Sequence, residues 1–466
     1  MVLLATLASA LVFPFVVDEP RKEPSPKASR EATEPAAAVW IRSNLTALST
    51  DIPTEDEFEP LLKSLAASKV IGLGESTHGD HQSQEFKSQA IRRLISVQKL
   101  DTVVFEINRS AGQALDEYVN LGKGEFSDVI RNQGVFKIWQ TDEFASLIGW
   151  MRGYVVKSGR QIRIYGIDCQ LPAKDIRLVA EFLKSVDQEA STSLSSAYPS
   201  LFEFDQKGKT FAAWLEAQGN GDYKKNVDPI RAAAKLLADK QGEWSKLPGY
   251  DEAAYAADTA YQAFNSFEFE FGDSTKNMFK MTPAYYSRRD KFMAQNLLKR
   301  IGDNRACLWA HDLHVLGEMP EQAKKVGFVT LGAELKKTLK STYTTVGFTW
   351  SDGIIRVKTG AANDLSVAGA QKGEIPLVKV SSKQKGDLGE FFSRIGPDNF
   401  YVDFRKADRP TELWGKNAYY RASIGWIFDP KNFMVDPTMD SIATIPSHDI
   451  LVYNKRISPS RLWVYP

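Results

Sequence analysis

The sequence predicts an α/β fold: a central, mainly parallel or mixed sheet flanked by helices, with a helical insertion and a β-rich C-terminal part. Three observations predict it. Short apolar runs alternate with longer amphipathic patterns from residue 39 onward, strand signals vanish between Pro172 and Pro283, and β texture returns after Lys340. Strands of a parallel sheet are covered on both faces, so they read as continuous apolar runs joined by helical crossovers.

The elements follow in chain order. Residues 1–17 are almost wholly apolar and give way to Asp18-Glu19-Pro20-Arg21-Lys22. That length suits the core of a signal peptide, although no basic residue precedes it, and it implies a periplasmic or secreted protein. An uncleaved membrane anchor is the alternative. Residues 18–38 are rich in Pro, Ala, Lys and Glu and read as a disordered linker. A single globular region is expected over 39–466.

Within it, Val70-Ile71-Gly72-Leu73-Gly74 predicts a strand followed by a helix over 82–97, and Thr102-Val103-Val104-Phe105 a second strand followed by a helix over 111–121. An amphipathic helix over 143–156 leads into a third strand over 162–167. The insertion, residues 172–283, carries apolar residues at helical steps over 230–240 and 253–267. Further strands are expected at 306–310 and 328–331. Residues 343–350 and 353–357 predict a hairpin turning at Ser351-Asp352-Gly353, and 449–453 a late strand.

Charge narrows the function. With 59 Lys and Arg against 58 Asp and Glu, no basic surface is expected to hold nucleic acid and no acidic tail is present. Two cysteines, Cys169 and Cys307, lie in apolar runs and read as buried thiols rather than a disulfide framework.

The polar residues that carry chemistry collect at strand ends. Four of the five histidines form two clusters, His78 with His81 and His311 with His314, each beginning where a strand stops. Glu106 and Asp168 close two other strands. In a parallel sheet those ends share one edge, where ligands bind, so residues distant in sequence converge. Glu75 and His78 lie three apart in the glycine-flanked Gly72-Leu73-Gly74-Glu75-Ser76-Thr77-His78-Gly79. A carboxylate beside an imidazole fixes its tautomer and raises its basicity, as a general base requires. Ser76 is set aside as a nucleophile because no Gly-x-Ser-x-Gly elbow occurs in the chain. The two His-x-x-His pairs with Glu75 and Glu106 leave open a metal-dependent hydrolase, or a metal- or haem-binding protein without turnover. The reading preferred here needs no metal and no cofactor. His448 and the tryptophans, Trp139 and Trp309 among them, are assigned to structure and core. Nothing in the sequence demands a role for Tyr419-Tyr420-Arg421.

The octapeptide from Gly72 to Gly79 resembles the opening signature of the erythromycin esterase family. The resemblance continues through Glu85-Phe86-Lys87, Phe105-Glu106, Trp150-Met151-Arg152 and Tyr165-Gly166-Ile167-Asp168. It extends to Arg289-Asp290 with Met293-Ala294 and Asn296, and to Trp309-Ala310-His311-Asp312-Leu313-His314-Val315. What the resemblance implies is hydrolysis of an ester or lactone, with macrolides the leading substrates. His78 would activate water, with Glu75 and Glu106 orienting it. His311 and His314 would bind water or substrate and return a proton to the leaving alkoxide. Arg289, with Lys87, would stabilise the oxyanion, and Lys87, Asp168 and His81 would contact the substrate. Asp312 departs from the family pattern, where asparagine is usual, and so adds a negative charge near the site.

Overall fold

The computed structural model describes residues 35–131, 133–218, 223–267, 283–318, 327–359, 375–382, 387–410, 421, 423–425, 427–428 and 447–463. The expected signal segment, most of the expected linker, and Tyr419 and Tyr420 lie outside the described residues. The strands are β1 (Leu45–Ala47), β2 (Val70–Leu73), β3 (Thr102–Asn108), β4 (Arg163–Asp168), β5 (Ala306–Trp309) and β6 (Tyr343–Arg356). They continue with β7 (Lys358–Thr359), β8 (Leu377–Ser381), β9 (Asn399–Asp403), β10 (Ile427–Phe428) and β11 (Ile450–Ile457).

Alternate residues of a strand face opposite sides of its sheet, and the central strands obey this closely. Ile71, Leu73, Val103, Phe105, Cys307 and Trp309 pack on one face against helices Glu55–Leu65, His81–Ser96 and Asp142–Ser158. Val70, Val104, Ala306 and Leu308 pack on the other against helices Pro283–Ile301 and Leu331–Leu339. Both faces are therefore covered, which is why the strands carry apolar residues throughout. The sheet runs β1-β9-β11-β6-β2-β5-β3-β4, with β8 added beside β6. From β11 to β4 all neighbours are parallel, and β1, β8 and β9 pair antiparallel. The mixed sheet agrees with the expected fold class. The C-terminal ends of β2, β3, β4 and β5 accordingly lie on one edge.

Local signals place the helices. Thr54 and Glu57 close a capping box on helix Glu55–Leu65, and Asp80 accepts from the Ser83 N–H at the start of helix His81–Ser96. Among the described residues the insertion folds as helices, including Pro172–Val186, Tyr223–Asp239 and Tyr250–Phe267. It has its own core, around Tyr198, Trp214 and Phe264. Both cysteines are buried and free. Among the described residues no helix is long and apolar enough to cross a membrane.

Four expectations need correction. Phe328 to Leu331 forms no strand: Thr330 accepts from the Ala333 N–H and caps helix Leu331–Leu339, so the short apolar run is the approach to a helix. Residues 343–357 form no hairpin. β6 is one strand of 14 residues, carried through Ser351-Asp352-Gly353 by parallel pairing with β11 as far as Ile457↔Gly353. Glu106 lies inside β3 rather than closing it. The linker ends before residue 38, because helix Ala36–Asn44 buries Ala37, Ala38 and Ile41 against Phe392 and Val402.

The helix Arg109–Leu121 lies directly on β4, and a Cβ added at Gly112 would stand 1.9 Å from the Gly166 nitrogen. Backbone cannot yield there. Gly112→Ala is expected to lower unfolding stability by about 1–3 kcal/mol. Gly153→Ala, on a helix with nothing within 4 Å, is expected to lower it not at all. Denaturant midpoints of the two variants check the contrast.

Candidate active site

The loop leaving β2 begins the site. Gly79 lets it run against β6: an added Cβ would meet the Arg356 carbonyl oxygen at 1.7 Å, and the Gly79 carbonyl accepts from the Arg356 N–H at 3.0 Å. The loop presents Glu75, fully buried, whose carboxylate takes three donors. His78 Nδ1 lies 2.5 Å from Oε1, Trp139 Nε1 donates to the same oxygen at 2.9 Å, and Lys87 Nζ donates to Oε2. Lys87 is itself buried, with its ammonium 4.0 Å from the Trp309 ring centroid. Burial opposes the Glu75 charge, but Lys87 and His78 outweigh it and hold the carboxyl below its usual range. Glu75 is thus an anion at neutral pH and acts on Nδ1 of His78, leaving Nε2 as the nitrogen available for a proton. The His78 side chain keeps 14% exposure, whereas that of Glu75 has none.

The loop leaving β5 brings the second histidine pair. The His311 ring centroid is 4.7 Å from that of His78 and 6.4 Å from that of His314. His314 is held between carboxylates, with Nε2 3.0 Å from Glu106 and Nδ1 2.9 Å from Asp290. Glu106, reaching from β3, also accepts from the His311 backbone N–H at 2.9 Å and from Arg289 at 2.9 Å. Arg289, on helix Pro283–Ile301, forks onto Asp168 at the end of β4 with distances of 2.9 and 2.8 Å. One continuous buried network thus joins the ends of β3, β4 and β5.

The two histidines of that pair hold opposite charge states. Burial works against a charged His314, yet Asp290 and Glu106 outweigh it and raise the ring to about 10. For His311, burial first and then His78 and His314 push the ring down to about 3. Burial likewise opposes ionisation of Glu106, but His314 and Arg289 hold it well below the usual carboxylate range. At neutral pH the site therefore contains an imidazolium at position 314 and a neutral imidazole at 311.

These shifts set the pH dependence of stability. The stabilisation from His314 is fully present below the unfolded imidazole value of about 6.5. It is lost as pH rises through about 10. His311 acts at the acid end, where keeping it neutral costs stability as pH falls below about 6.5. Calorimetry of the wild type toward pH 10 should show a fall in melting temperature that is smaller in His314→Gln.

The structure brings Glu75, His78, Glu106, His311, His314 and Arg289 together, as the sheet edge requires. It places others differently from expectation. Lys87 and Arg289, expected to hold an oxyanion, are committed to protein carboxylates. Asp168, expected at the substrate, is fully buried and holds Arg289. His81 pairs with Glu143 at 2.6 Å, outside the carboxylate network. His311 cannot carry a spare proton to an alkoxide near neutral pH. The charge of Asp312, expected to act on the site, is met by Arg421. Trp139, assigned to core, is a donor to Glu75; the available signal was that a buried indole N–H needs an acceptor.

Two other chemistries meet this geometry. Ser76 is buried, and its hydroxyl makes no hydrogen bond among the described residues, so no base is in place to activate it. Among the described residues no group of three or more His, Cys, Asp or Glu side chains is arranged to hold a metal ion. Both nitrogens of His314 are spent on carboxylates, and those of His311 face backbone groups.

Comparison with known proteins adds an independent line. A family model described as erythromycin esterase matches residues 95–443. That match starts beyond the Glu75–His78 loop, which therefore stands on its geometry. The erythromycin esterase type II of Escherichia coli is 20% identical over 417 residues, covering 84% of this chain and 95% of that protein. Among solved structures, a succinoglycan biosynthesis protein aligns with a TM-score of 0.72 at 19% identity, over 93% of this chain and 100% of its own. A mutant of the erythromycin esterase EreC, in an open conformation, aligns with a TM-score of 0.66 at 15% identity, over 90% of this chain and 99% of its own. At these identities the two structures show a shared fold.

Proposed function

The chain belongs to the erythromycin esterase family and is a hydrolase, and we propose that it adds water across an ester or lactone of a small molecule, with His78 as the base. The observation that carries the reading is the pairing of a part-exposed imidazole with a buried, ionised carboxylate: His78 Nδ1 lies 2.5 Å from Glu75. Glu75 holds the Nδ1–H tautomer and stabilises the imidazolium that forms when Nε2 takes a proton.

In this reading Nε2 of His78 removes a proton from water as the oxygen attacks the carbonyl carbon. The tetrahedral intermediate then collapses, the C–O bond to the alkoxide breaks, and His78 returns its proton to the leaving oxygen. Water is consumed, and an acid and an alcohol are released; for a lactone both stay on one opened chain. The return falls to His78 because His311 is held neutral at about 3 and His314 keeps its proton between two carboxylates. Macrolide lactones are the leading substrates by likeness to the family.

Incubation of the purified protein with a panel of macrolides and simple esters, read by mass spectrometry, tests the reading. Gain of one water on a lactone, or splitting of an ester into acid and alcohol, is the expected result. No change across the panel in a folded protein would overturn it.

A further inference from the structure

Residue 421 and residues 423–425 lie across the loops that leave β2 and β5. The Ile424 N–H donates to the Ser76 carbonyl at 2.6 Å, and Thr77 and Ile424 form a parallel bridge. The Ile424 carbonyl lies 3.2 Å from His311 Nε2, while the Leu313 N–H approaches His311 Nδ1 at 3.3 Å. One ring nitrogen of His311 thus faces an acceptor and the other a donor, so the proton of the neutral ring belongs on Nε2.

Arg421 pins this strap at one end. It is 1% exposed, and its guanidinium donates to the Asp312 carboxylate, to the Phe348 carbonyl of β6, and to His448 Nε2 at 2.9 Å. Asp312 follows His311 directly, and its own N–H donates to the Glu75 carbonyl at 2.9 Å. The same few residues therefore tie the strap to both loops that carry the histidines. A buried ion pair adds little net stability over an apolar pair of similar size, and what it can supply is a fixed arrangement. The planar fork of arginine, with donors in set directions, suits that role.

We propose that Arg421 is a positioning residue, which acts through Asp312 and the strap to hold His311 as its Nε2–H tautomer against His78. The role in turnover rests on the hydrolase reading above; the tautomer does not. Arg421→Met alone leaves Asp312 as a buried, uncompensated anion, and Asp312→Asn alone strands the cation. The double variant Asp312→Asn with Arg421→Met removes both charges and keeps the fold testable.

The experiment measures unfolding midpoint, kcat and KM on an ester the wild type hydrolyses, and long-range ¹⁵N–¹H spectra of the histidine rings. The double variant is expected to regain most of the stability that each single variant loses. Its kcat is expected to fall roughly 10- to 100-fold with little change in KM, the scale of a small misplacement in a catalytic site. The His311 signals should show mixed tautomers, and Arg421→Lys should lie between. A double variant with wild-type kcat and a single Nε2–H tautomer would overturn the proposal. If the wild type hydrolyses no ester, the hydrolase reading fails, and the tautomer alone decides whether Arg421 positions His311.

Discussion

His78→Ala is expected to lower kcat by roughly 10²- to 10⁴-fold on any ester or lactone the protein hydrolyses, the usual worth of a general base. The fold should survive the change. His78 is the part-exposed member of its cluster, and Glu75 keeps Lys87 and Trp139 as donors when the imidazole is gone. KM should move little, since the ring acts on water rather than on remote parts of the substrate. Glu75→Gln tests the same pair from the other side but strands the buried Lys87, so its loss of rate comes with a loss of stability. Steady-state kinetics alongside thermal melts separate the two effects.

Arg289→Met is expected to produce the largest loss of stability, about 3–5 kcal/mol, the usual cost of leaving a buried charge without its partner. Asp168 is fully buried, and its other donor among the described residues is the Cys169 N–H at 2.7 Å. Glu106 keeps His314 and the His311 N–H, so Asp168 bears most of the penalty. Adding Asp168→Asn should recover much of the loss. Arg289→Lys should fall between, because a point charge cannot fork onto Asp168 while reaching Glu106. Urea unfolding of the three variants checks the order.

Most of the fold was legible where an element is long or strongly patterned. The runs at Val70, Thr102 and Ala306 are strands because each is apolar on both faces, and a sheet covered on both sides demands that; the run at Ile162 ends the sheet and alternates, with Arg163 and Tyr165 half-buried. The failures have specific causes. Phe328 to Leu331 is too short to separate a strand from the entry to a helix, and the capping role of Thr330 decided it. Ser351-Asp352-Gly353 has turn chemistry, but parallel pairing with β11 supplied partners that local sequence does not show.

In the site, strand-end placement was enough to bring His78, His311 and His314 together, because parallel topology fixes which ends meet; Glu106 joins them from inside β3. What sequence could not show is which charges cancel. Lys87 reads as a free cation until it is seen against Glu75 and Trp309. Asp312 reads as an added negative charge until Arg421, 109 residues away, is found beside it. No spacing rule links residues so far apart, and burial, which makes the pairing obligatory, is a property of the folded chain.

The central claim, that His78 is the base that activates water, is tested most directly by chemical rescue of His78→Ala with added imidazole. The account predicts that the folded variant turns over slowly and that imidazole restores its rate in a saturable way, following the free-base form of the additive. A variant that turns over at the wild-type rate without imidazole would contradict it.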